Sequence, residues 1–473
     1  MKKNILLSIV ALLLVVILSV SISSCVTRNV IQSINTTTTI RNQNNNIQSP
    51  DGIKETYDYS NTFLLIDALF KNYSIFDVDY ETAMLAAIRA YVEATGDKYA
   101  MFYTPEELDA WLSDNNGDLY GVGVQVIFDY DEYFMEVIQI MPDSPAEACL
   151  QVGDKVTHIT VNGEKLALVD LVAQYKEKAQ SIYTDYTEEE INIIACNETF
   201  DYTIANLKGP EGTYAEFTID RNGVSQDLVV QRAKVKTVSV TAKTSIRDSR
   251  VGIVTISQFD FTTPTQFKAC MDSLISQGCD KFVFDLRNNP GGNVAAFIAV
   301  ISTLLQKDDL ILTEKSSDGT VIVNKVTTLD YSSSVSVSGS DVLACNVTEA
   351  DIGKYSGYDF TVLINENSAS AAEMFTSTLR DHNLAQIVGV KSYGKGSIQS
   401  LVRLDNYGSQ YYGGLKFTTK LYFPPCGEGF DGGIGIEPHY TVELEGIALE
   451  THFYKLTEEI DNQLQKAVSL LID

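Results

Sequence analysis

From Thr62 to Asn115 apolar residues recur every three to four positions, as in LLIDALF and AMLAAIRAYV, and this spacing predicts a small helical unit. Within it, TPEELDAWL places Thr104 as an N-cap, Pro105 at the first helical position and Glu107 where a capping box closes. Residues 119 to 166 change to the alternation expected of strands, broken by one short helix. That helix is expected to start in a second capping box, Ser144-Pro145-Ala146-Glu147, and to end at Gly153-Asp154. Val161-Asn162-Gly163 reads as a hairpin turn. Strand-like sequence resumes over 209 to 235, so the Tyr- and Glu-rich stretch near 167–205 reads as an insertion. From Arg250 onward the pattern alternates between strands (VGIVTISQF, KFVFDLRNN, FTVLINEN, AQIVGVKS) and helices (PTQFKACMDSLISQG, NVAAFIAVISTLLQ and one from about Ser370), which predicts an α/β core. A polar stretch, 307–357, interrupts it, and residues 331 to 350 show no periodicity and are expected to be irregular.

The first residues carry two lysines and then an apolar run of sixteen, Ile5 to Val20, in the layout of a signal peptide. The run is short of the roughly 20 residues a spanning helix needs. Ile22-Ser-Ser-Cys25 resembles a bacterial lipobox, in which the cysteine is acylated; the other reading is an uncleaved membrane anchor. Either predicts a chain held at the bacterial membrane surface, outside the cytoplasm. Residues 26 to 53, rich in Thr, Asn, Gln and Ser, read as a flexible tether. A net charge of −27 with no basic run excludes nucleic acid as a partner. The six cysteines beyond Cys25 are dispersed, with no spacing that suggests a disulfide scaffold or a zinc site, and no metal or cofactor is expected.

The stretch NENSASAAEMF, 365 to 375, gathers serines and alanines where a strand gives way to a helix. A serine is a poor nucleophile until a base takes its proton. His382 lies a dozen residues beyond Ser370, about 18 Å along a helix; His158 sits on a strand of the 119–166 region and His452 in a terminal stretch, and His439 stays open, with nothing around it that looks like a triad partner. No GxSxG elbow is present. The other available base is lysine, and Lys395 lies in VGVKSYGKGSIQS, where glycines permit close backbone approach and burial would favour the neutral amine. Gln399, four residues on, offers an amide that can orient the amine without a charge that would keep it protonated. Gly389 to Lys395 also matches GxxxxGK, but Gly396 stands where a phosphate loop needs Ser or Thr.

Two resemblances organise these residues. The region 119–166 is similar to a PDZ domain, in which Gly121-Val122-Gly123 matches the loop that holds a peptide's terminal carboxylate; an ordinary β-rich domain with a glycine hairpin is the other reading. NENSASAAE, GVKSYGKGSIQ and FDLRNNPGG together, followed by GLKFTTKLYFPPCG and GIGIEPHYTVEL, resemble the carboxyl-terminal processing peptidases, or tail-specific proteases. That resemblance implies Ser370 as nucleophile, Lys395 as base and Gln399 as its partner, with Ser368 an adjacent bystander. It also implies an oxyanion hole from the N–H of Ala371 and that of Gly291 or Gly292. The expected fold is multidomain α/β: a crotonase-like protease core with an inserted PDZ-like β-rich domain and an N-terminal helical unit. The expected organisation is a signal peptide (1–24), a lipid-anchored tether (25–55), a helical unit (56–117), a PDZ-like domain (118–234), an α/β peptidase core (235–450) and a C-terminal helical segment (451–473). The expected activity is serine endopeptidase cleavage near the free C-termini of protein or peptide substrates. The rival reading is a noncatalytic PDZ adaptor on the cell surface.

Overall fold

The computed structural model describes residues 59–332, 344–409 and 411–472. The expected signal peptide, Cys25 and the tether lie outside the described residues. The chain divides into two compact units, with the boundary between Thr95 and Gly96. The first holds helices α1 (Tyr59–Tyr73) and α2 (Tyr80–Ala94), the latter capped by Asp79, whose carboxylate accepts from the Thr82 N–H. No residue of α1 is buried, and Phe63, Leu69 and Phe70 are exposed.

The second unit begins with strand β1 (Met101–Tyr103) and helix α3 (Pro105–Asn115), which opens in the expected capping box between Thr104 and Glu107. These residues were expected to belong to the helical unit ending at 117. Instead β1 pairs with a strand of the core, and Tyr103, Leu108 and Leu112 are buried beside Leu401 and Tyr412.

A β-rich domain follows, closed at its base by β2 (Asp118–Gly121) pairing with β9 (Ala233–Lys236). Its sheet contains β3 (Val124–Phe128), β4 (Met135–Ile140), β5 (Lys155–Val161), β6 (Glu164–Ala167), β7 (Tyr214–Arg221) and β8 (Val224–Gln231). The spatial order is β3-β4-β5-β7-β8, with β6 also on β5, so β3 is an edge strand. Asn162 and Gly163 both take positive φ, as the β5–β6 hairpin turn requires. The capping box expected at Ser144 does not form: Pro145–Ala148 is a 3₁₀ turn, and Ser144 Oγ donates instead to the Gly123 carbonyl. The supposed insertion near 167–205 is two helices, α4 (Leu168–Ile182) and α5 (Glu188–Leu207). They share one core with the strands, since Leu168, Leu171, Ala195 and Leu207 pack with Val156, Ile159 and Phe217. The stretch is therefore an integral layer of the domain.

The core runs β10 (Val240–Thr244), β11 (Val251–Ile256), α6 (Thr263–Ser276), β12 (Lys281–Asp285), α7 (Val294–Ile301), β13 (Leu310–Ser316), β14 (Val321–Lys325), β15 (Leu329–Ser332), β16 (Ala344–Val347), β17 (Asp359–Ile364), α8 (Ala371–Asp381), β18 (Ala385–Gly389), β19 (Ser397–Arg403), β20 (Gly414–Phe423), β21 (Tyr440–Thr441) and α9 (Asn462–Ile472). Its main sheet has the order β10-β11-β12-β17-β18-β21, parallel from β11 to β21. The period of two divides each strand's side chains between two layers. On β11, Val254 and Ile256 face the core that holds α6, α7 and α8, whereas Val251 and Ile253 face α9 through Leu464 and Val468. The terminal helix thus covers the sheet's second face. A second, antiparallel sheet has the order β1-β20-β13-β14, with β19 on β20. The polar stretch 307–357 supplies two of its strands, β13 and β14; of the segment expected to be irregular, 331–350, the end of β15 and all of β16 form a strand pair.

Candidate active site

Strand β17 ends at Ile364, and the five residues after it turn the chain into α8. Ser368 makes that turn rigid: its hydroxyl accepts from the Asn365 N–H at 2.9 Å and donates to the Leu286 carbonyl at 2.8 Å. Ser370 then caps the helix with φ 55° and ψ −115°. A positive φ at a non-glycine residue is uncommon, costs on the order of 1–3 kcal/mol and persists only when its surroundings enforce it. Here the enforcement comes from Glu373, one turn into α8 and fully buried. One of its oxygens accepts from the N–H groups of Ser370 and Lys395, both at 2.9 Å. The other accepts from Ser392 Oγ at 2.6 Å and the Gly394 N–H at 2.7 Å. Burial pushes the Glu373 carboxyl above its usual range, and these four donors pull it back. The Tyr422 hydroxyl, entirely enclosed, makes a second link by lying against the carbonyl oxygens of Ser370 and Lys395.

The GKG run follows from the same close packing. A Cβ on Gly394 would stand 2.5 Å from the Gly433 Cα, and one on Gly396 would meet Asp431, whose carboxylate accepts from the Gly396 N–H at 2.7 Å. Between them Lys395 turns inward, its Nζ 4.5 Å from the centroid of the Tyr99 ring. Its amine is held below the ordinary lysine value, first by burial and next by the like charge of Lys416; Lys98 adds to this, while Glu373 and Asp431 oppose it.

Ser370, Lys395 and Gln399 line one cavity of about 760 Å³ between the two sheets of the core. The structure therefore brings the three together, with two qualifications of geometry. No hydrogen bond joins Ser370 Oγ to Lys395 Nζ. The Gln399 amide donates to Ser397 Oγ and Thr418 Oγ1, both at 3.1 Å, and not to Lys395. No histidine is among the residues lining the cavity. His382 binds the Leu310 carbonyl at the far end of α8, and His439 Nδ1 accepts from the Ile387 N–H.

The Asn289–Gly292 turn stands beside Ser370. A Cβ on Gly291 would be 2.8 Å from both Ala371 N and Ser370 Cβ. The two glycines differ in their donors. Gly291 spends its N–H on Asn289 Oδ1 at 2.8 Å, whereas the N–H groups of Gly292 and Ala371 have no acceptor among the described residues. Asn289 is itself fixed by a bond to the Ile256 carbonyl and by accepting from the Ala369 N–H. Sequence reading missed Glu373 and Tyr422. The glutamate is visible three residues after Ser370, but its partners at 392–395 are identified only by the fold.

Gly121, Val122 and Gly123 lie apart from this cavity, in the β-rich domain. They border a small cavity of about 40 Å³ lined also by Leu119, Val124, Ile204, Leu207 and Lys208. Gly123 has φ 87°, and a Cβ there would stand 2.2 Å from Ser144 Cβ, so only glycine fits. The carbonyls of Val122 and Gly123 accept from Ala146 and Met141, while their N–H groups have no acceptor among the described residues.

Residues 250–442 match the family described as peptidase family S41. Over 378 residues the chain is 27% identical to a protein of Staphylococcus aureus (strain N315) named "Probable CtpA-like serine protease"; the match covers 78% of this chain and 63% of that one. A protein of the same name from Staphylococcus haemolyticus is 28% identical over 75% of this chain and 58% of its own length. The chain thus spans somewhat under two thirds of these relatives. Among solved structures, the photosystem II D1 C-terminal processing protease aligns with 83% of this chain and 89% of its own, at 20% identity and a TM-score of 0.41.

Proposed function

We propose, from the match of residues 250–442 to peptidase family S41, that this chain is an extracytoplasmic serine endopeptidase of the carboxyl-terminal processing type working through a Ser370–Lys395 dyad. The observation that carries the reading is that one buried carboxylate, Glu373, fixes the backbones of both residues at the edge of a single cavity. In the reaction, neutral Lys395 Nζ takes the proton of Ser370 Oγ as Oγ attacks the substrate carbonyl carbon. The resulting oxyanion is held by the N–H groups of Ala371, at the positive end of α8, and of Gly292. The proton passes to the departing amine, and water, deprotonated by Lys395, hydrolyses the acyl-serine. Gln399 is assigned to orient the amine by accepting one of its N–H groups at the amide oxygen, while Nε2 stays on Ser397 and Thr418.

The β-rich domain is proposed to be PDZ-like and to select substrates by their C-termini. Its support is the unpaired edge of β3 beside α5 and the two unengaged N–H groups at Val122 and Gly123, which suit an added strand ending in a carboxylate. The extracytoplasmic placement rests on the leader pattern and on Cys25 as an acylation site. The test is turnover of an unfolded protein substrate by purified protein. Ser370→Ala and Lys395→Ala should each abolish it while thermal unfolding stays near that of the parent. Turnover by a folded Ser370→Ala protein would remove the assignment.

A further inference from the structure

Strand β20 contributes Lys416 and Lys420 to the wall of the active-site cavity, on either side of a register shift at Thr419. Tyr422 touches Ser370, and Thr418 accepts from Gln399. Lys420 is paired with Glu314 at 2.6 Å, a carboxylate that also accepts from Asn324. Lys416 has no such partner among the described residues: its Nζ contacts Met101 Sδ at 3.5 Å and lies 5.6 Å from the Tyr103 ring centroid. Asp260, the cavity's other carboxylate, is engaged by Thr237, Gln258 and Thr262. In a chain of net charge −27, Lys416 thus stands at the wall of the catalytic cavity with no acid paired to it among the described residues.

We propose that Lys416 is a carboxylate-recognising position of this cavity, which receives an acidic side chain of the bound peptide. The inference rests on the peptidase reading and adds a specificity residue to it. Lys416 is also the like charge acting most strongly on Lys395. The other groups facing that amine are Lys98 and Tyr99 before β1, Glu373 on α8 and Asp431 in the loop after β20.

The test compares full-length Ser370→Ala protein with the same protein carrying Lys416→Gln or Lys416→Arg. The probes are C-terminally amidated decapeptides, otherwise neutral, with one Glu, or Gln as its control, moved along the chain. One Glu position should tighten Kd by about tenfold over its Gln counterpart. Lys416→Gln should erase that preference, and Lys416→Arg should retain it. Dependence on Glu position locates the recognised side chain relative to the bond being cut. In the active enzyme Lys416→Gln should also move the acidic limb of the kcat/KM profile to higher pH, because a like charge beside Lys395 has gone. No carboxylate preference, or the same preference in Lys416→Gln, overturns the proposal. Since binding is read without turnover, failure of the peptidase reading would appear separately, as missing cleavage by the parent or cleavage by Ser370→Ala.

Discussion

Ser370 and Lys395, twenty-five residues apart in sequence, donate their backbone N–H groups to the same oxygen of Glu373. The carboxylate sets their spacing without touching either reactive atom, so it is a positioning residue, and its removal has a distinctive signature. Glu373→Gln replaces one oxygen by a donor that faces two N–H or O–H donors, at a cost of at least about 2 kcal/mol in stability. It should lower kcat about 100-fold, as expected for small misplacements of reacting groups. It also removes a negative charge that raises the Lys395 pKa. The acidic limb should consequently shift to lower pH. Ser392→Ala deletes one bond to Glu373 and no charge, so it should leave the limb in place; a shift there equal to that of Glu373→Gln would refute the electrostatic part.

The two serines of the SAS run should separate cleanly. Ser368 is fully buried and joined to Asn365 and Leu286, so Ser368→Ala should cost about 1–3 kcal/mol of stability while turnover persists at low temperature. Ser370→Ala should have the reverse profile, with little change in stability and no turnover. Denaturant melts paired with initial rates decide the matter; stability lost at Ser370 and activity lost at Ser368 would exchange their roles.

Much of this site was legible because its chemistry sits in short runs. SAS, GKG and NNPGG each combine a reactive residue with the small residues that let another backbone approach, and both features are local. What was not legible depends on long-range pairing. Tyr422 reads as one more strand aromatic until β20 crosses under α8. The strands β13 and β14 were hidden in a polar stretch because β14 is an edge strand with most of its residues exposed. The helices α4 and α5 looked like an insertion because nothing local says that Leu168 and Ala195 pack under β5 and β7. The choice between Gly291 and Gly292 likewise needed the Asn289 side chain, whose bond to Gly291 no spacing rule reveals.

Activity should increase with pH. A base works only as the free amine, and Lys395 is displaced below 10.5, chiefly by burial. The kcat/KM of the parent should therefore rise through an apparent pKa lower than that value and then level off while the protein stays folded. Opening the wall with Tyr99→Ala admits water to the amine and should move the limb upward, provided desolvation outweighs the lost contact with the ring. A flat profile under conditions where chemistry limits the rate would contradict the free-base role.

Selection of substrate ends can be isolated at the β-rich domain. Val122 and Gly123 offer N–H groups where β3 has no neighbour, and a cavity of about 40 Å³ beside them has room for only a small side chain. A peptide adding itself to β3 would place its carboxylate at Gly121–Gly123 and its last side chain among Val122, Ile204 and Leu207. Amidation removes the charge and keeps every side chain. Each charge-assisted bond is worth roughly 1.5–3 kcal/mol, so amidation should weaken binding to the Ser370→Ala protein by about tenfold or more. A terminal Ala should bind better than a terminal Trp, which cannot enter without moving α5. Gly123→Ala sets a Cβ against Ser144 at a backbone conformation alanine resists, and should abolish the acid–amide difference while cavity-side changes such as Lys416→Gln leave it. Equal affinities for acid and amide in the parent would show that this domain does not read C-termini, and the tail-specific part of the proposed function would fall with them.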